Sequence, residues 1–125
     1  MAASQRTNPN LTRFFSTSPV PLISTTLDRA LRSLGITQLH LKPGSPEQAY
    51  VVSISFKTLD KRGQELSGRI TVAPSVLPEE GGMEGVEGWD VVLWKRVGEP
   101  MELKRLWTGV MSFCAAIVFA KIGRA

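Results

Sequence analysis

The sequence predicts an α+β domain, an antiparallel sheet of four to five strands with two helices packed on one of its faces. Three observations predict it. Two segments carry apolar residues at three- and four-residue steps. The region between them alternates apolar and polar residues, and turn residues separate the alternating runs. A length of 125 residues fits one domain, and an apolar share of 42% is enough for a core without disulfides.

Residues 1–10 are polar and read as a tail, which places the domain at 11–122. Leu11 to Phe15 is short, apolar and basic, suited to an edge strand. Ser18-Pro19 then reads as an N-cap followed by proline at the first helical position, where a missing N–H is harmless. Val20, Ile23, Leu27, Ala30, Leu31 and Leu34 form one stripe, with Arg29 and Arg32 outside it. Gly35 should end this helix, giving a helix over 19–34.

Ile36 to Leu41 is a strand candidate closed by Pro43-Gly44. Tyr50, Val52, Ile54 and Phe56 then alternate with Ser53, Ser55 and Lys57. Asp60-Lys61-Arg62-Gly63 supplies a hairpin turn, and Leu66, Gly68, Ile70 and Val72 repeat the alternation. Residues 74–88 hold four glycines, two prolines and four glutamates, a composition expected to form a mobile acidic loop. Trp89 to Val97 is a further strand. Pro100 marks a second helix start, with Glu102 in its favourable first turn. Leu103, Leu106, Trp107, Val110, Phe113, Cys114 and Ile117 form its packing stripe, and Lys104 and Arg105 fall on the opposite side.

A formal charge of +4 favours an acidic partner without choosing its kind. The single cysteine, Cys114, excludes an intrachain disulfide and suits a reducing compartment. It lies on the apolar stripe, where a buried structural thiol is the expected state. The apolar stretch from Val110 to Ala120 is too short to span a bilayer, so no transmembrane segment is expected. One histidine, His40, cannot build a metal cluster. The phosphate loop, strand lysine, catalytic-loop aspartate and metal-binding Asp-Phe-Gly of a kinase are all missing from the sequence. The chain is therefore read as non-catalytic, with no cofactor and no metal.

Ser4-Gln5-Arg6 with Leu11-Thr12-Arg13-Phe14-Phe15, then Thr58-Leu59-Asp60-Lys61-Arg62 with Ile70-Thr71-Val72, then Val97-Gly98-Glu99-Pro100 through Trp107 form an ordered set. That set resembles the C-terminal kinase-associated-1 regulatory domain of Ser/Thr protein kinases of the checkpoint kinase one type, from about residue 4 to residue 118. The resemblance implies a fold that restrains the kinase domain of the same protein until DNA-damage checkpoint signalling releases it, in the nucleus and cytoplasm with the nucleus favoured. It assigns the restraining contact to Arg6, Arg13, Lys104 and Arg105, with Lys95 and Arg96 close by. The insertion Thr7-Asn8-Pro9-Asn10 and the presence of Trp94 where the family carries a basic residue are departures from the pattern.

Other partners compete for the same residues. Domains resembling this one bind anionic phospholipid, and a basic surface suits that. Asn8, Leu11, Phe14 and Phe15 resemble the box that docks on the sliding clamp PCNA, although the two phenylalanines are read first as core residues that anchor the strand. Arg13, Lys95, Arg96, Lys104 and Arg105 are expected at one strand–helix corner, while Arg29, Arg32 and Lys57 read as a solvated face. Nucleic acid ranks lower because no reader motif accompanies the charge.

Overall fold

The computed structural model of the chain describes residues 12–45, 47–77 and 85–118. Along the chain come β1 (Arg13–Ser16), α1 (Val20–Ser33), β2 (Gln38–Pro43), β3 (Val52–Leu59), β4 (Glu65–Leu77), β5 (Val86–Val97) and α2 (Pro100–Phe113). A single turn of 3-10 helix over Ala115–Ile117 follows. The five strands form one sheet in the order β1-β5-β4-β3-β2, antiparallel throughout. This is the α+β architecture the sequence predicts, with both helices against one face of the sheet.

Helix α1 buries Ile23, Leu27, Ala30 and Leu31, the central part of its predicted stripe. Its start differs from expectation by one residue. Pro19 itself is the N-cap, no side chain caps the helix, and Pro21 rather than Pro19 stands in the first turn. The Ser18 N–H instead donates to the Ser16 hydroxyl. The helix ends as predicted, with Gly35 at φ +88. Gly35 N–H donates to the Arg32 carbonyl and Ile36 N–H to the Leu31 carbonyl, the paired bonds of a Schellman motif. Ile36 is thereby delivered into the core, and β2 begins two residues later, so the strand expected over 36–41 lies at Gln38–Pro43 instead.

The β3–β4 hairpin turns on Asp60. Its Oδ1 accepts from Arg62 N–H at 2.8 Å and Gln64 N–H at 3.0 Å, which folds the chain back over Gly63. Strands β4 and β5 then run further than expected. Pro74 pairs with Trp89, Ser75 with Gly88, Val76 with Glu87 and Leu77 with Val86. The segment expected as an acidic loop over 74–88 is therefore ladder at both ends, over 74–77 and 86–88, and its part at 78–84 lies outside the described residues. Glycine at 88 fits a strand here because the Phe15 ring occupies the space a Cβ would need.

Between the sheet and the helices lies the core: Val52, Ile54, Phe56, Ile70, Val72, Val91 and Leu93 from the strands, Leu103, Trp107 and Val110 from α2, and Cys114 at its C-cap. Phe14 reaches across from β1 to stack on Trp107, ring centroids 5.8 Å apart at 26°. Such pairs add about 0.5–1.5 kcal/mol beyond their buried area. The two helices meet where Leu34 lies over Gly109. Phe113, expected in the packing stripe, is 47% exposed, because α2 ends there and the tighter turn that follows carries Cys114 and Ile117 inward in its place. Leu34, also expected to be buried, is 43% exposed at the cap position.

Candidate functional site

The face of the sheet away from the helices is not apolar, and strand register decides what stands on it. His40 of β2 pairs with Ser55 of β3, Ser55 with Arg69 of β4, and Arg69 with Trp94 of β5. Lys57 and Ser67 occupy the neighbouring row. Because alternate residues share a face, the partners of this set (Ile54, Phe56, Ile70, Leu93) point into the core. The polar row and its neighbours line an open groove of about 750 Å3.

One irregularity shapes the groove's edge. Gly68 pairs with Lys95 but Ser67 pairs with Val97, so Arg96 is an extra residue in a β-bulge. A bulge bends its strand and re-aims the side chains beside it. Lys95 and Arg96, the residues at the bulge, both border the groove. Gly68 makes the bulge feasible, since a Cβ there would stand 2.7 Å from the Trp94 carbonyl oxygen and 3.1 Å from the Phe56 ring. Two residues past Arg96, Gly98 at φ +135 turns the chain toward α2, and a side chain there would run into Leu66. Glu99 caps that helix, its carboxylate accepting from Met101 N–H at 3.0 Å.

The aromatic member of the groove is held in place. Trp94 is 54% exposed, yet its indole Nε1–H donates to the Thr71 hydroxyl at 2.8 Å. Arg69 carries its guanidinium 5.6 Å over the Tyr50 ring, a cation–π contact that fixes the charge on the sheet. Lys57, Arg69, Lys95 and Arg96 form no ion pair with any described residue. Glu65 is the carboxylate among the lining residues, and its Oε2 accepts from the Ser67 hydroxyl at 3.4 Å.

The residues expected at one corner stand on two consecutive elements, the end of β5 and the start of α2. Lys95 and Arg96 border the groove, and Lys104 and Arg105 are exposed on α2. Arg105 is paired with Glu102 at 2.9 Å within its own helix, and Lys104 forms no ion pair with a described residue. Arg13 is engaged: its Nε and Nη2 both donate to the Asp90 carboxylate across β1 and β5. Arg6 and Leu11 lie outside the described residues. Lys57, read from the sequence as a plain solvated charge, belongs to the groove. A period-two pattern places it opposite Ile54 and Phe56, but only the register shows which cations stand beside it.

Phe14 and Phe15 are both fully buried. A clamp could take them only after β1 leaves the sheet, so the domain as folded offers no such ligand. Cys114 is buried, and burial pushes its thiol up to about 11. Among the described residues no group of three His, Cys, Asp or Glu side chains gathers to hold a metal ion, and no helix is long and apolar enough to cross a membrane.

No model of a known protein family matches this chain, and no curated protein matches it significantly.

Proposed function

We propose that the chain is a non-catalytic regulatory domain of the kinase-associated-1 type, which restrains the kinase domain of a checkpoint-type Ser/Thr kinase through a basic surface. One observation carries the reading. The closing member of the ordered motif set runs from the end of β5 into α2, and the cations around it that have no ion-pair partner among the described residues are Lys95, Arg96 and Lys104. Charges held without an internal counter-ion are available to a carboxylate-rich or phosphorylated partner, and a matched patch steers and fixes such a complex.

Among the candidate cations, the ion-pair pattern favours some over others for the contact. Arg13 already shares the Asp90 carboxylate and Arg105 shares Glu102, so each is a weaker candidate for a docking charge. Lys95, Arg96 and Lys104, without ion-pair partners among the described residues, are the stronger candidates. Added in trans to the cognate kinase domain, the chain should lower phosphotransfer. Charge reversal at Lys95, Arg96 and Lys104 together should relieve that inhibition, while the Arg13→Ala chain, where it stays folded, should still inhibit. Inhibition that ignores the triple reversal would refute the assignment.

A further inference from the structure

We propose that the groove on the open face of the sheet is a binding platform for single-stranded nucleic acid, with Trp94 as its stacking surface and Lys57, Arg69, Lys95 and Arg96 as its phosphate contacts. Register sets His40, Arg69 and Trp94 in one row across β2, β4 and β5, with Ser55 of β3 between the first two. At ordinary strand spacing that row is about 14 Å wide. A four-stranded sheet presenting aromatics seats two or three unstacked bases over such a width.

The indole decides between partner classes. With its N–H committed to Thr71 at 2.8 Å, Trp94 has no donor left and offers a ring surface, which recognises any base by stacking. An acidic peptide would be held by the cations alone and gives an exposed, anchored tryptophan nothing to do. The Arg69 guanidinium, 5.6 Å from the centroid of the Tyr50 ring, adds a cation from the same row. Lys57, Lys95 and Arg96 flank the row without ion-pair partners among the described residues, so the phosphates of a strand laid along it meet uncompensated charge. A duplex keeps its bases stacked inside and cannot cover the ring, which restricts the ligand to single strands.

This inference does not rest on kinase restraint, and either can fail without the other. Its test is a fluorescence anisotropy titration of the full chain into a dye-labelled oligothymidylate of about ten nucleotides, a length typical of one sheet-based site. Expected is saturable binding that weakens steeply as salt rises, accompanied by quenching of tryptophan emission. Trp94→Ala should weaken binding roughly tenfold or more, and Trp94→Phe should retain most of it. The double variant Lys57→Glu, Arg96→Glu changes only exposed side chains, so it should keep its thermal unfolding midpoint and lose binding. Unlabelled duplex, polyglutamate and phosphatidylserine vesicles should compete poorly. The proposal is overturned by absence of binding at low salt, by a double variant that binds like the parent, or by polyglutamate or vesicles displacing the oligonucleotide at equal charge concentration. A folded Trp94→Ala chain binding with unchanged affinity would overturn it equally.

Discussion

Arg13 and Asp90 are 77 positions apart and meet as a two-point ion pair between neighbouring strands. Both side chains are partly shielded from water, so the pair is worth more than an exposed one. Arg13→Ala should lower stability by about 1–2 kcal/mol in urea titration, since it leaves Asp90 unpaired. Phe14→Ala should cost about 3–5 kcal/mol, because it removes the ring that stacks on Trp107 and leaves a cavity. At Cys114 the thiol is held protonated by burial, pushed up from 9.0 to about 11. Its folded value exceeds its unfolded one, so its contribution is complete below pH 9 and is lost as pH climbs toward 11. Alkylation at neutral pH should accordingly be slow in the folded chain and fast once urea unfolds it. The burial of Phe14 and Cys114 is legible in the sequence, from an apolar strand and a helical stripe. The Arg13–Asp90 pair is not, because nothing local to either residue signals a partner so far along the chain.

The elements themselves were the more legible scale. Helix α1 shows its stripe and its Gly35 stop, and the β3–β4 hairpin shows its period and its turn. The extension of β4 and β5 was hidden, because glycine- and glutamate-rich composition argues for a loop while pairing across β4 and β5 overrides it from Pro74 to Leu77. At the hairpin turn, hydrogen bonding from Gln64 N–H foremost, with Arg62 behind it, holds the Asp60 carboxyl below its ordinary 3.8. A lowered folded value means that the turn keeps this support above pH 4 and loses it as pH falls further, a loss that Asp60→Asn should remove from the acid limb of a pH–stability profile. In α2, Gly109→Ala gains up to about 1 kcal/mol of helix propensity. The new methyl would stand 3.1 Å from a terminal methyl of Leu34, a half-exposed side chain able to yield, so the thermal midpoint should rise slightly.

For the molecule as a whole, two groups of cations stand out, those bordering a groove floored by four strands and those exposed on α2. Neither is visible as a surface in the sequence. The groove draws on residues from Gln38 to Val97, and its edge carries a bulge that shifts the register between Ser67 and Gly68. Composition announced the charge, and only the fold tells which charges lack counter-ions. If Lys95, Arg96 and Lys104 hold a kinase domain in restraint, their reversal must act on inhibition and leave folding alone, since all three are exposed and none supports another described side chain through an ion pair. The most direct measurement is the phosphotransfer rate of the cognate kinase domain titrated with the whole chain, parent and triple reversal side by side. A concentration-dependent fall with the parent that the reversal abolishes, at an unchanged thermal midpoint, is the predicted result. An unaffected rate with the parent, or equal inhibition by both chains, would contradict it.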